Sequence, residues 1–299
     1  MSHRGRLLAG TVMMLLGGAA RGETPPSPPP ITEMPVVYRV PGMDRVRVRK
    51  NLVYRTVGET SLELDVYSSP ETGKVARRPA VILVHGGPVP EAMRPKPKDW
   101  AVFVGYGRML AASGLTAVAF NHRIHGPTAL ADAAGDVAAA VAHVRAHGEE
   151  LGVDPDRIAL WAFSGGGPFL SAPLREQWPF VRAIVAYYTV LDLQVTPPGA
   201  ASGITDETRR EFSPLLHLAG SGEKTPPLFV ARAGRDNPWL NATIDRFVQE
   251  ALARNAALEL MTHPTGQHGF DIVDDDARSR EIIARTLDFL KDHLLTPRP

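Results

Sequence analysis

Residues 151–167 read LGVDPDRIALWAFSGGG, and the serine that ends their apolar run decides how the rest of the chain is read. Residues 157–163 form a short apolar stretch without polar alternation, the pattern of a strand covered on both faces. Ser164 follows with no spacer, and Gly165, Gly166 and Gly167 lead into a stretch of helical character. A serine forced into a sharp strand-to-helix corner projects its hydroxyl outward. The residues two before and two after it must then be small, because the chain doubles back on itself. Ala162 and Gly166 meet that need, although Ala162 stands where glycine is usual and its methyl adds mild crowding. The same letters also suit a plain glycine-rich turn. A phosphate loop would end in Gly-Lys followed by Ser or Thr, and this one does not.

On either side of this corner the chain keeps a regular rhythm. Residues 45–56 and 61–67 alternate around Gly58 and predict an antiparallel pair. Residues 80–84, 115–120, 181–187, 228–232 and 257–262 repeat the unalternating apolar pattern of 157–163. Helical stretches separate them. In the clearest, 129–147, Leu130, Ala134, Val137, Val141 and Val144 form one apolar stripe. Others fall near 99–113, 166–177, 238–254 and 276–294. Strand and helix alternating in this way predict an α/β fold: a mostly parallel central sheet of about eight strands, flanked by helices, with right-handed crossovers. Residues 189–226, rich in proline and glycine, exceed an ordinary connection and predict a cap-like excursion above the sheet. One folded domain is expected over 35–299.

At this point the chain resembles the α/β-hydrolase family, in its carboxylesterase and lipase branch with feruloyl-esterase-like and hormone-sensitive-lipase-like members. The resemblance runs from about Leu62 to Leu294. It rests on LELDVYSSP at 62–70, VILVHGG at 81–87, the corner at 151–167, FSPLLHL at 212–218, PPLFVARAGRDN at 226–237 and GQHGFD at 266–271. It implies a triad in the chain order Ser, Asp, His. A serine hydroxyl is a weak nucleophile near neutral pH, so it needs a base, and the base needs an orienting group. His268, in a glycine-flanked loop beyond the last strand, matches the family's histidine. Asp236 follows the strand 228–232 and matches its acid, although an aspartate there also suits the cap of a helix beginning near Pro238. For the oxyanion hole the resemblance implies the N–H of Gly165 joined by Gly87, with Gly86 second. Pro88 has no N–H to offer, and the third glycine of lipase-like members is missing.

Composition narrows the partners. The chain has 299 residues with 33 Lys plus Arg against 32 Asp plus Glu, a net charge of +1, which gives no field to hold nucleic acid or an anionic membrane. Without cysteine there are no disulfides, thiolate nucleophiles or cysteine metal sites. No metal and no cofactor is expected. Residues 1–22 carry Arg4 and Arg6, then an apolar run at 7–16 and small residues, the pattern of a secretory signal peptide cut after Ala20 or Gly22. The run is too short for a membrane anchor. Residues 23–34 form a proline-rich linker, and the mature protein is expected to be secreted or periplasmic.

Several features point to structure before chemistry. His143 and His147 have the spacing of a zinc pair but lack the accompanying glutamate, and suit a solvated helix end. In Asn121-His122-Arg123 the arginine suits an ion pair, while His122 and His125 are candidates for the pocket lining. Residues 274–276, three aspartates, favour the start of the last helix. Asn241-Ala242-Thr243 is a glycosylation sequon only in a eukaryotic secretory route. The expected activity is a serine hydrolase acting on a small-molecule carboxylic ester through an acyl-enzyme. A serine exopeptidase and a non-catalytic binding protein of the same fold are the alternatives. Residues 88–98, with Arg94, Lys96 and Lys98, predict a polar rim, and the excursion holds few large apolar residues, so short acyl groups are expected.

Overall fold

The computed structural model describes residues 29–70, 77–195, 203–219 and 225–296. The leader at 1–22 and the linker as far as residue 28 lie outside the described residues. Among the described residues eight strands form one sheet: β1 (Arg47–Val57), β2 (Thr60–Ser68), β3 (Arg78–Val84), β4 (Thr116–Phe120), β5 (Val153–Phe163), β6 (Val181–Tyr187), β7 (Leu228–Ala233) and β8 (Leu258–His263). Their spatial order is β1-β2-β4-β3-β5-β6-β7-β8. β1 pairs with β2 and β2 with β4 antiparallel, and every other pair is parallel. This is the mostly parallel, eight-stranded sheet expected above.

The helices are α1 (Ala101–Ala112), α2 (Leu130–Ala146), α3 (Gly148–Leu151), α4 (Ser171–Arg175), α5 (Asp206–Glu211), α6 (Pro238–Ala253), α7 (Phe270–Val273) and α8 (Ala277–Leu294). Two apolar layers result, one on each face of the sheet. On one, Val137, Val141 and Val144 of α2 and Leu240, Ile244 and Phe247 of α6 pack on Ile82, Leu160 and Val230. On the other, Met109 and Leu110 of α1 and Ile282, Leu287 and Leu290 of α8 cover Val81, Trp161 and Phe229. Strand β3 beyond Arg78 and residues 158–163 of β5 are buried, which is why these stretches do not alternate.

Register aligns the strand ends that matter. Val84, the last residue of β3, lies opposite Ala162 of β5, so the segments that follow, His85-Gly86-Gly87 and Ser164-Gly165, emerge side by side. β3 is also where successive connections turn to opposite sides of the sheet, toward β4 and toward β5. The crevice at the carboxyl ends of such strands is the usual binding place in an open α/β sheet. At the other side, Ala233 of β7 lies opposite His263 of β8, and Asp236 and His268 follow a few residues later.

Two readings change. The helix expected at 166–177 is a 3-10 turn over Ser164–Leu170 followed by the five-residue α4. Pro168 has no N–H to donate to the carbonyl four residues back, which is that of Ser164. That carbonyl accepts instead from Val190 N at 3.1 Å and from the Thr189 hydroxyl. Lys98, expected on a polar rim, is buried. Its ammonium lies 3.1 Å from Oδ1 of the buried Asp65 and 2.6 Å from Asn51 Oδ1, because a buried carboxylate needs a cationic donor. Arg94 and Lys96 donate to the carbonyl of Glu91 and brace their own turn. The excursion folds, in its described parts, as α5 and a 3-10 turn at Pro214–His217.

Candidate active site

Ser164 sits at φ +51°, a left-handed conformation that a non-glycine residue holds only where the surroundings enforce it. The corner is tight enough to explain Gly166. A Cβ there would lie 2.7 Å from the carbonyl oxygen of Val84 and 2.8 Å from that of His85. Gly165 is equally constrained, since its Cβ would lie 2.6 Å from the oxygen of Gly87. The β3 loop and the serine corner are therefore in direct backbone contact.

The structure brings Ser164, His268 and Asp236 together. His268 Nε2 lies 2.8 Å from Ser164 Oγ, and His268 Nδ1 lies 2.7 Å from Asp236 Oδ2. The carboxylate accepts, so Nδ1 carries the proton and Nε2 is left to accept from the serine hydroxyl. Asp236 Oδ1 accepts from the backbone N–H of Asn237 at 2.6 Å. The helix cap that Asp236 was a candidate for is supplied by Asn237, whose side chain accepts from Trp239 N. The Asp236 side chain is 4% exposed and the His268 side chain 43%, so the carboxylate is shielded while the imidazole faces the cleft.

The other histidines considered for the site lie elsewhere. His263 is buried with Nε2 3.1 Å from Asp276, which also caps α8 through Ser279 N. His143 and His147 stack at the exposed end of α2. His122 lies beneath the site instead of on its wall, stacked on His85 with ring centroids 3.7 Å apart, and it is Ile124 that lines the cleft. His125 turns to the carbonyl of Val89. Arg123 makes the expected ion pair, with Asp136 at 2.8 Å. Asn241 of the sequon is buried, its amide donating to Ala233 O, so the folded chain does not offer it for glycosylation.

The buried His85–His122 pair sets the β3 loop. His85 Nδ1–H donates to Gly86 O at 2.7 Å, and its Nε2 accepts from His122 N at 3.3 Å. In a trans peptide the C=O and the next N–H point in opposite directions. Holding Gly86 O against the buried ring therefore turns the N–H of Gly87 away from it. Burial pushes the pKa of His85 down to about 4, partly offset by its bond to Gly86 O. Burial, and then His85 itself, hold His122 well below its ordinary value. Both rings are neutral near pH 7. Unfolding exposes them to ordinary titration, so between about pH 6.5 and about pH 4 the unfolded chain binds protons that the folded chain does not. Stability is complete above that window and falls through it by up to about 1.4 kcal/mol per pH unit for each histidine. Urea unfolding at pH 7 and pH 5 measures this. A His122→Phe variant is expected to show a shallower pH dependence than the wild type, and an equal slope in both would refute the assignment.

A second buried network supports His268. The Tyr188 ring packs edge-on to His268 at 4.8 Å, and its hydroxyl donates to Asp271 Oδ1 at 2.6 Å while Tyr106 donates to Oδ2 at 2.7 Å. Asp271 is fully buried, and burial raises its pKa against the opposing effect of the two phenols. Its carbonyl accepts from Val37 N, tying the N-terminal segment to the His268 loop. Sequence reading missed this network. Asp271 lies in the quoted GQHGFD stretch, but nothing local marks its partners, 83 and 165 residues away.

Two cavities meet at Ser164. One, of about 310 Å³, has Gly87, Pro88, Ile124, Val190, Ile204 and Trp239 on its wall and is almost wholly apolar. The other, of about 230 Å³, is lined by His268, Tyr188, Trp100, Phe103 and, from the N-terminal 3-10 turn, Ile31. Among the described residues no cluster of three or more metal-ligating side chains occurs, and no helix is long and apolar enough to cross a membrane.

Residues 64–174 match the BD-FAE family model, a span that includes Gly86, Gly87 and Ser164 but ends before Asp236 and His268. No curated protein matches the chain in sequence. Among solved structures the chain is similar to an esterase of the planctomycete Thermogutta terrifontis. The propionate-bound form shares 21% identity at a TM-score of 0.67, covering 87% of this chain and 98% of that one. The butyrate-bound form shares 21% at 0.65, with the same coverage. The form phosphorylated by paraoxon shares 22% at 0.65, covering 85% and 97%. The fold is that of the α/β-hydrolases.

Proposed function

We propose that the protein is a serine hydrolase that cleaves short-acyl carboxylic esters through an acyl-enzyme. The observation that carries this reading is the continuous hydrogen-bond chain from Ser164 Oγ through His268 to Asp236, set on a left-handed corner between two cavities. Ser164 Oγ attacks the ester carbonyl as its proton passes to His268 Nε2, and Asp236 stabilises the imidazolium that forms. The negative oxygen is held by the N–H of Gly165 and that of Gly87, with Gly86 as the second candidate on the same loop. The leaving alkoxide takes the proton from His268, so the alcohol group belongs on the side of the cavity that His268 lines. The acyl group then occupies the 310 Å³ cavity. Water, activated by the same histidine, attacks the acyl-serine and releases the acid.

A cavity of about 310 Å³ stands at the small end of ligand pockets. That volume, and not a polar rim, supports the short-acyl reading. The propionate- and butyrate-bound forms of the Thermogutta terrifontis esterase support it too. Each methylene that finds apolar wall contributes about 0.8 kcal/mol, and the gain ends where the wall ends, so kcat/KM is expected to peak at about two to six carbons. Chromogenic esters from acetyl to dodecanoyl, with a feruloyl ester and aminoacyl amides as comparison arms, test it. A maximum at twelve carbons would recast the protein as a lipase, and faster amide cleavage as a peptidase.

A further inference from the structure

The apolar cavity that receives the acyl group has one cationic side chain in its wall. Arg209, on α5, lines it together with Ser164, Leu193, Val195 and Ile204. The guanidinium is partly buried and donates through Nη1 to the carbonyl of Leu193 at 3.0 Å. Among the described residues no carboxylate pairs with it. Glu211 on the same helix is turned to Arg175 at 3.6 Å, and the buried carboxylate of Asp192 is taken by Arg246 at 2.9 Å. Residues 196–202, TPPGAAS, which follow Val195 in the sequence, include no acid. Arg123, by contrast, is matched to a carboxylate by paired N–H bonds. A guanidinium in an apolar wall, with one hydrogen bond and no ion pair among the described residues, is a site for a planar anion.

We propose that Arg209 binds the distal carboxylate of a dicarboxylic acyl group, so that half-esters of short dicarboxylic acids are the preferred substrate class. This rests on the ester-hydrolase reading above and on its assignment of the acyl group to this cavity. A compact cavity of 310 Å³ is only about 8 Å across, so a chain of about four to six carbons attached at Ser164 ends near its far wall. The carboxylate replaces water at the guanidinium with two parallel charge-assisted bonds, while the methylenes meet Leu193, Val195 and Ile204. A neutral chain of the same length leaves the guanidinium without an anion as it is desolvated, and this lowers its relative kcat/KM.

The test compares ethyl hydrogen glutarate with ethyl pentanoate, which share a leaving group and a chain length, by acid release in a pH-stat. The wild type is expected to favour the half-ester in kcat/KM by about tenfold or more. That ratio is expected to fall about tenfold in Arg209→Gln, whose amide retains a donor for Leu193 O, and to recover in part in Arg209→Lys. Glutarate is expected to inhibit the wild type more tightly than pentanoate, an arm that needs no variant. A wild-type ratio near one, a ratio unchanged in Arg209→Gln, or equal inhibition by the two acids overturns the proposal while ester hydrolysis stands. Turnover of neither ester by the folded wild type overturns both readings.

Discussion

Ser164→Ala is expected to lower ester turnover by about six powers of ten and to abolish labelling by a fluorophosphonate, with the fold unchanged. The two halves of that expectation have separate structural grounds. The side chain's hydrogen bond is to His268 Nε2, and it contributes no core packing. The structural work at this residue is done by its backbone carbonyl, which accepts from Val190 N and from the Thr189 hydroxyl, and alanine keeps that carbonyl. Alanine also occupies a left-handed φ at a cost close to that of serine, so the strain at the corner is unchanged. Circular dichroism and thermal unfolding should therefore match the wild type. Labelling that persisted in the variant would place the nucleophile on another residue.

Asp236→Asn should lower kcat by about four powers of ten, as the equivalent change does in the serine-protease triad from which that magnitude comes. The geometry says why so small a change is severe. Oδ1 of Asp236 accepts from Asn237 N, so in the variant the amide oxygen is held by the same N–H. The amide NH₂ then faces His268 Nδ1, which must become an acceptor, and the ring's proton moves to Nε2. An Nε2–H cannot take the proton of Ser164. His268→Ala should be as damaging, because His263 is buried with its Nε2 committed to Asp276. Single-turnover rates of the two variants check both statements. A His268→Ala protein that kept most of its activity would transfer the role to His263 or His293.

Much of this site could be read along the chain. The sharp corner at Ser164 is visible because its requirements are local: an apolar run, a serine, and small residues two positions to either side. The His268 loop and the Asp236 turn were found through their resemblance to known motifs, since a glycine-flanked histidine and an aspartate after a strand suit other purposes by spacing alone. The helix expected at 166–177 is interrupted because Pro168 has no N–H to continue it. The rim expected at 88–98 fails at Lys98, because lysines are usually solvated, whereas this one answers the buried carboxylate of Asp65 on β2.

The order of strands and helices, the mostly parallel sheet and the position of the sharp corner follow from periodicity, because burial on one face or on two imposes its pattern on residues close in the chain. Which groups meet above the sheet follows from register and topology. Ser164 and His268 are 104 positions apart and are brought to 2.8 Å by strand ends that no local pattern aligns. The same holds for the phenols that grip Asp271, for the histidine pair that turns the Gly86 carbonyl inward, and for Arg209 in the wall of an apolar cavity. Each depends on partners supplied by distant segments, and hydrogen bonding and charge pairing act over a few ångströms of space regardless of how far apart the residues stand in the chain.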